Sequence, residues 1–166
     1  MQKPKVHAPE KNWNTSPDPD LEIDFMDLAD VDQVRKIEKA SFRSPWPRSY
    51  FVQEINRNPI SYSIVLRDPS KNVVAFCIAW IMNDVLHINN IATDPKCRKR
   101  GYAQTVLESM LDLGRSYGCI EVKLEVRVSN EPAIRLYERL GFQVVSKISK
   151  HYDDNGEDAF VYARAL

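Results

Sequence analysis

The sequence predicts a single α/β (α+β) domain, in which a mixed, mostly antiparallel and twisted sheet is flanked by about four helices. First, short segments of alternating or continuous apolar residues recur along the chain, as they do in strands. Second, the segments between them repeat apolar residues every three or four positions, as in helices packed on a sheet. Third, 166 residues are enough for one domain with a sizeable core.

Composition narrows the classes of function. Lysine plus arginine and aspartate plus glutamate both number 23, so a large nucleic-acid surface is not expected. No apolar run approaches the length of a membrane span, and the N-terminus lacks the apolar core of a signal peptide. The scattered cysteines, Cys77, Cys97 and Cys119, fit reduced thiols in a cytoplasm rather than a metal site. We therefore expect a cytoplasmic monomer or weak dimer without a metal, nucleic-acid or membrane partner.

The N-terminal region divides into a tail and the start of the domain. Residues 1–20 are rich in proline, lysine, asparagine and aspartate and show no periodicity, which predicts a flexible tail. The domain then spans residues 21–166 and begins with the alternating strand pattern of residues 21–25.

Two helices are predicted next. Asp30, with Gln33 three residues later, resembles a capping box at the start of the first helix. A proline-containing loop interrupts this helix. Pro47 then suits the first turn of a second, short helix that continues to about Asn56.

Three consecutive strands are predicted in the middle of the chain. The second is apolar almost throughout, so both of its faces should be covered. Short turns join the strands, which makes neighbouring strands antiparallel. The strands span residues 61–67, 73–82 and 85–93, and the turns are at 68–72 and 83–84.

A basic turn follows the third of these strands. Asp94-Pro95 ends the strand, and Arg98-Lys99-Arg100 place three positive charges directly before Gly101. From Gly101 to near Gly118 the apolar spacing is helical. The free N–H groups of a helix N-terminus beside basic side chains suit a phosphate. A solvated basic turn has the same spacing, so the residues alone leave both interpretations open.

A strand, a helix and a hairpin complete the chain. Alternation over residues 120–128 predicts a strand with one apolar face. Asn130 or Ser129 caps the following helix, and Gly141 ends it. The acidic run in the last turn is too short for an EF-hand calcium loop. The strands of the final hairpin span residues 142–149 and 158–165, joined at Asn155-Gly156.

Three blocks of this sequence resemble the GNAT superfamily of N-acetyltransferases. Arg98-x-x-Gly101-x-Ala103 is similar to its Arg/Gln-x-x-Gly-x-Gly/Ala signature, and the segments 124–130 and 133–142 also match. The resemblance is greatest to the RimI-type (ribosomal-protein-alanine) enzymes and to archaeal N-terminal acetyltransferases, and it covers roughly residues 21–166. It implies a GNAT-type domain with acetyl-CoA as cosubstrate. The implied cosubstrate-binding residues are Ile91, Ala92, Thr93, Arg98, Lys99, Arg100, Gly101, Tyr102, Ala103, Asn130 and Tyr137.

Acetyl transfer to an amine needs a base, stabilisation of the developing oxyanion and an acid for the departing thiolate. The resemblance implies Glu125 as the base, although the residue pattern alone favours a solvent-facing glutamate paired with Lys123 or Arg127. It implies Tyr137 as the acid, where helical spacing alone favours a buried aromatic. Backbone N–H groups of the strand before the basic turn would stabilise the oxyanion.

Two further residues carry side chains that could take part in the chemistry. His87 could relay a proton through water, since some archaeal relatives carry histidine at this place, or it could be a packed strand histidine. Cys97 as a covalent acyl carrier is disfavoured, because no base adjoins it in the sequence and direct transfer accounts for the other residues.

The loop between the first two helices either covers the edge of the core or walls a substrate groove. The resemblance favours the groove, in which Tyr152 could form a narrow slot for a peptide end together with Phe42, Pro45 and Trp46. His151-Tyr152 departs from the Tyr-Tyr pair often found there, which bears on the shape of the slot.

The predicted function is acetylation of the N-terminal amine of a protein, possibly a ribosomal one, by direct transfer from acetyl-CoA. A first alternative keeps the chemistry with lysine or a small amine as substrate. A second is a non-catalytic coenzyme-A-binding or ribosome-associated module.

Overall fold

Seven strands and four helices succeed one another along residues 18–166, which are the residues described by the computed structural model. They form one sheet with helices on both faces, which confirms the predicted fold class. Of the predicted tail, residues 1–17 lie outside the described residues. The strands are β1 (Glu22–Phe25), β2 (Ser61–Arg67), β3 (Val73–Met82), β4 (Val85–Thr93), β5 (Glu121–Arg127), β6 (Gln143–Tyr152) and β7 (Glu157–Ala165), and the helices are α1 (Val31–Ser41), α2 (Arg48–Asn56), α3 (Tyr102–Ser116) and α4 (Glu131–Arg139).

The sheet is antiparallel except at its centre. Its strand order is β1-β2-β3-β4-β5-β7-β6, and only β4 and β5 pair in parallel. That parallel pairing begins at Val85 and stops where Ile88 faces Leu124. A bulge at Asn89, opposite the Ile78–Ala79 step of β3, turns β4 at the same point. Beyond it β4 and β5 are no longer paired with each other, which leaves a gap in the middle of the sheet.

The core has two parts because β3 is buried on both faces. Ala75 and Cys77 of β3 belong to the cluster that packs on α3 and α4. Phe76 and Ile78, which alternate with them, belong to the cluster that packs on α1 and α2. Every residue of β3 up to Ala79 is buried, as the apolar run predicts.

The capping box predicted at the start of α1 is wrong. Asp30 makes no side-chain hydrogen bond to the first turn, and its carboxylate instead accepts two hydrogen bonds from Arg67 of β2, at 2.7 and 2.9 Å. Gln33 Oε1 accepts a hydrogen bond from the backbone N–H of Val73, at 2.9 Å. The physical reason is burial. Asp30 is only 3% exposed, so its charge is stabilised by a bidentate arginine rather than by a solvated cap.

The final hairpin differs from its prediction in length and shape. Strand β6 continues to Tyr152, beyond the predicted end at Ser149, and it bulges between Ile148 and Tyr152. Gly156 takes a left-handed conformation in the turn, with φ of 71°. None of the helices between residues 18 and 166 is long and apolar enough to cross a membrane.

Candidate active site

A cavity of about 550 Å³ opens where β4 and β5 part. It is lined by the α1–α2 connection, by the bulge of β4 and the free end of β5, by the start of α4 and by Tyr152. The predicted site residues that line it are Phe42, Trp46, Ile91, Glu125, Asn130, Tyr137 and Tyr152. The cavity therefore gathers the predicted base, acid and substrate-slot residues from five elements or loops.

Other predicted site residues lie outside this lining. Pro45 is exposed in the α1–α2 connection, and Ala92 and Thr93 are buried at the end of β4. His87 lies earlier on β4, where it faces Trp80 and Lys123 of the neighbouring strands. Burial, with Lys123 as a second cause, holds the pKa of His87 below its usual value, so the imidazole is predominantly neutral near pH 7.

Glu125 lies on the part of β5 that has no β4 partner. Its side chain is 47% exposed, and its Oε2 lies 2.6 Å from Nε2 of His151. Neither cation that its own strand offers is its partner, because Lys123 pairs with Glu121 and Arg127 pairs with two acids of the β6–β7 turn. His151 was missed as a site residue, and the sequence signal for it was the departure from the Tyr-Tyr pair.

Arg127 positions the rim of the cavity at Tyr152. Its guanidinium lies 3.8 Å from the centre of the Tyr152 ring and is held by Asp154 at 2.8 Å and Glu157 at 3.2 Å. This arrangement combines a cation–π contact with a charge network that is mostly shielded from solvent. Burial, outweighing the nearby arginine, raises the pKa of Tyr152, so its phenol stays protonated. Two residues of the acidic run, Asp154 and Glu157, thus hold Arg127 against the Tyr152 ring that lines the cavity.

Tyr137 is the buried aromatic that its helical spacing favours. Its ring packs against Phe142 and Tyr162, with centroid distances of 5.8 and 6.2 Å, and the residue is 5% exposed. It also lines the cavity. Burial raises the pKa of the phenol well above its usual value. A phenol is a weaker acid than a thiol, so it can protonate a thiolate only while that thiolate is forming and is held close to it.

Glu38 is a buried carboxylate in the cavity wall that the sequence analysis missed. It is 1% exposed, and its two oxygens accept hydrogen bonds from the backbone N–H of Trp46 at 2.8 Å and from Asn90 Nδ2 at 3.0 Å. It thereby joins the α1–α2 connection to β4 just beyond its bulge. Burial raises its pKa, despite the two hydrogen bonds that favour the charged form.

Replacing Glu38 by glutamine should change how stability depends on pH. Since the folded state raises the pKa of Glu38, the folded protein holds a proton that the unfolded chain has released, and the free energy of unfolding falls as pH rises through that raised pKa. Glutamine cannot titrate. In urea unfolding, we therefore expect the stability of the variant relative to wild type to improve from about pH 4.5 to about pH 7.5. If the difference in the free energy of unfolding between Glu38→Gln and wild type is the same at both pH values, the prediction is wrong.

The basic turn before α3 presents its cations to solvent. Lys99 and Arg100 are exposed and form no ion pair with the residues that the structure describes. Arg98 is anchored instead, since Nη2 donates to Ser41 Oγ at 3.1 Å. Gly101 has φ of 80°, a conformation that favours glycine, and α3 begins at the next residue. The turn thus places two exposed cations beside a helix N-terminus, the arrangement that binds phosphate groups.

Asn130 has a structural role that the sequence predicted. Its side chain accepts a hydrogen bond from the backbone N–H of Ala133 at 3.4 Å and caps α4, which carries Tyr137. Cys97 lies in the short helical turn after β4, and Cys77 and Cys119 are buried, and all three are free thiols. Within residues 18–166, no group of three or more histidine, cysteine, aspartate or glutamate side chains could hold a metal ion.

Comparison with known proteins identifies the architecture. The family model described as "Acetyltransferase (GNAT) family" matches residues 31–142. An N-alpha-acetyltransferase of Saccharolobus solfataricus is 35% identical over 152 residues, covering 84% of this chain and 89% of the relative. A Bacillus subtilis protein, provisionally named as a ribosomal protein bS18-alanine N-acetyltransferase, is 37% identical over 136 residues, covering 82% and 89%. The crystal structure of the Escherichia coli ribosomal-protein-alanine N-acetyltransferase superposes with a TM-score of 0.80 at 29% identity, covering 88% of this chain and 94% of that one.

Relatives of 35% and 37% identity that are named N-acetyltransferases, together with the family match, define an acyltransferase. The chain belongs to the acetyltransferase (GNAT) family.

Proposed function

We propose that this protein transfers an acetyl group from acetyl-CoA to the N-terminal α-amine of a protein, with a ribosomal protein as the first candidate substrate. The observation that carries the proposal is that Glu125 and Tyr137 line one cavity at the point where the central strands part. The names of the Bacillus and Saccharolobus relatives support the substrate class. A ribosomal substrate would place the reaction in the cytoplasm.

The cosubstrate would lie along the free edge of β4 and reach the basic turn. Beyond Ile88, β4 pairs with β3 on one side only, so its backbone groups on the β5 side have no strand partner among residues 18–166. Backbone N–H groups there, fixed before the reaction begins, could stabilise an oxyanion. Lys99, Arg100 and the start of α3 would hold the phosphates. Acetyl-CoA supplies the thioester whose carbonyl carbon the amine attacks.

Glu125 and Tyr137 carry out the two proton transfers of the reaction. Glu125 takes the proton of the α-ammonium, because only the neutral amine has a lone pair with which to attack. Tyr137 gives its proton to the departing sulfur as the carbon–sulfur bond breaks. Phe42, Trp46 and Tyr152 line the same cavity, which would admit the end of a peptide.

An α-amine is the easier substrate for this site. A free α-amine has a pKa of about 7.7–8.0 and a lysine amine about 10.4, so the α-amine holds its proton less tightly by more than two powers of ten. The acid–base machinery is correspondingly modest, with one half-exposed carboxylate as the base.

The substrate class can be decided with two peptides. We would incubate the protein with acetyl-CoA and an alanine-initiated peptide containing one lysine, with its α-amine either free or blocked, and locate the acetyl group by mass spectrometry. Acetylation of the free α-amine alone is expected. Modification of the lysine in both peptides would assign a lysine acetyltransferase. If neither reacts, a polyamine assay would follow, and binding of acetyl-CoA without any turnover would assign a binding module.

Removing the exposed cations of the basic turn should weaken cosubstrate binding. We expect the double variant Lys99→Ala/Arg100→Ala to raise the KM for acetyl-CoA by about tenfold or more at low salt, because two charge-assisted phosphate contacts are lost. The difference in KM between the double variant and wild type should become smaller as added salt screens the phosphate contacts of the wild type. Lys96→Ala removes a nearby exposed cation and serves as the matched control. Equal KM values for the double variant and wild type would place the phosphates elsewhere.

A further inference from the structure

His151 reaches Glu125 across an intervening strand. In the sheet order β5-β7-β6, strand β7 separates the strand of Glu125 from the strand of His151. Strands two places apart are separated by about 10 Å, so regular pairing would not bring these side chains together. Nevertheless His151 Nε2 lies 2.6 Å from Glu125 Oε2. This separation is within the range for direct proton transfer.

The contact depends on the bulge in β6. Ile148 faces Ala159 and Tyr152 faces Glu157, so three residues of β6 occupy the space opposite the single residue Asp158. An irregularity of this kind redirects side chains that a regular strand would send elsewhere.

The bulge is held in place by its own contacts. Within it, Lys150 has φ of 51°, a left-handed conformation that a lysine seldom adopts. Asp158 fixes it by accepting a hydrogen bond from Lys150 N at 2.9 Å and pairing with Lys147 at 2.9 Å. The His151 ring stands edge-on to Tyr152, at 4.9 Å and 84°. His151 is thus aimed at Glu125 by backbone geometry and not by a mobile loop tip.

A carboxylate alone is a poor final acceptor for the proton of an α-ammonium. Free carboxylates have a pKa of about 4.3, free imidazoles about 6.5 and free α-amines about 7.7–8.0. Moving a proton from an α-amine to a carboxylate costs the free energy that corresponds to the difference between those two pKa values. Moving the proton on to an imidazole lowers this cost, because the pKa of an imidazole is closer to that of the amine. The imidazole can then release the proton to water.

We propose that His151 is the residue to which Glu125 hands the proton taken from the substrate amine. The ammonium N–H bond breaks as an O–H bond forms on Glu125, and that O–H bond breaks as an N–H bond forms on Nε2 of a neutral His151 whose own proton is on Nδ1. The resulting imidazolium returns one proton to water and is again neutral. The His151 side chain is 32% exposed and is absent from the cavity lining, so it can exchange with solvent without contacting substrate. It is a positioning residue that acts through Glu125, and the inference rests on the proposed function.

Other charges surround the pair and will shape its pH dependence. On the same face of β5 are Lys123 and Arg127, and β4 and β6 contribute a histidine and a tyrosine within electrostatic range of Glu125. In the α1–α2 connection, Arg43 lies 3.9 Å from Asp154 of the β6–β7 turn. The charged and titratable groups around the pair are therefore Lys123, Arg127, His87, Tyr152, Arg43 and Asp154.

The test compares His151→Gln, Glu125→Gln and the double variant over about pH 6.5 to 9.5, with kcat and KM for the free α-amine peptide. Glutamine keeps a polar side chain but cannot carry the proton onward. We expect His151→Gln to lower kcat by about tenfold or more near pH 7 while changing the peptide KM little. The deficit should shrink towards pH 9.5, where the substrate amine is already neutral. The double variant should be no slower than Glu125→Gln, because the two residues act as a unit.

Three results would overturn the relay: wild-type kcat for His151→Gln near pH 7, a deficit that is the same at every pH, or additive losses in the double variant. Thermal unfolding of each variant shows whether a loss of kcat comes from misfolding. A loss of kcat that is the same at every pH and is accompanied by a lower unfolding temperature counts against the relay. Failure of the proposed function gives a different pattern. In that case wild type does not acetylate the α-amine at all, or Glu125→Gln is fully active whatever His151→Gln does.

Discussion

Glu125→Gln is expected to lower kcat for acetylation of a peptide α-amine by about 10²- to 10⁴-fold at pH 7, with a much smaller change in the KM for acetyl-CoA. The amide has nearly the volume of the carboxylate but cannot accept the proton of an ammonium. Its 2.6 Å contact with His151 would also lose its charge. Steady-state rates by mass spectrometry across the pH range measure the effect. The loss should diminish at high pH, where the substrate amine is already neutral.

Glu121→Gln is the matched control for this variant. Glu121 lies on the same strand and the same face as Glu125 but outside the cavity, and it pairs with Lys123 at 2.9 Å. We expect its kcat to remain within about twofold of wild type, since an exposed ion pair contributes little. Full activity of Glu125→Gln would remove Glu125 as the base and turn attention to His87, the other histidine on this face of the sheet.

Tyr137→Phe is expected to lower kcat by about 10²-fold while leaving the fold intact. The variant keeps the ring that packs against Phe142 and Tyr162 and removes only the hydroxyl. That hydroxyl has no hydrogen-bond partner among residues 18–166, so its loss leaves no buried group unpaired. Stopped-flow or mass-spectrometric rates, together with the thermal midpoint, separate catalysis from stability.

Tyr162→Phe provides the contrasting control. Its hydroxyl donates to Glu138 Oε1 at 3.1 Å, so removing it should cost about 1 kcal/mol of stability and little activity. The two variants are thus expected to give opposite patterns from the same chemical change. If Tyr137→Phe turns over at the wild-type rate, the thiolate receives its proton from water or from the amine.

The secondary structure was largely predictable because its signals are local. The apolar run of β3 indicated burial on both faces, and alternation in β5 placed Glu125 opposite its apolar face. The predicted cap of α1 failed for a reason that no local pattern contains. Asp30 is adjacent to Arg67 only after β2 has folded beside α1, and a bidentate, partly buried arginine is a stronger partner for it than a backbone N–H group.

The candidate site was predictable in its outline and not in its internal contacts. Glu125, Tyr137 and Tyr152 were found through resemblance, and the cavity brings them together. Glu38 and His151 escaped because their partners, Asn90 and Glu125, are distant in sequence and meet only through a bulge in β4 and another in β6. Bulges leave little trace in apolar periodicity, so the side chains that they redirect are the ones that sequence patterns misplace.

The gap between β4 and β5 also means that this sheet is incomplete without its ligand. An extended molecule lying against the free edge of β4 would take the place of the absent neighbouring strand for the backbone groups beyond Ile88. Binding of the ligand would then also complete the hydrogen bonding of the sheet. Amide hydrogens of residues 89–93 should therefore exchange more slowly once the gap is filled, and the protein should unfold at a higher temperature in proportion to how much of that edge the ligand pairs with.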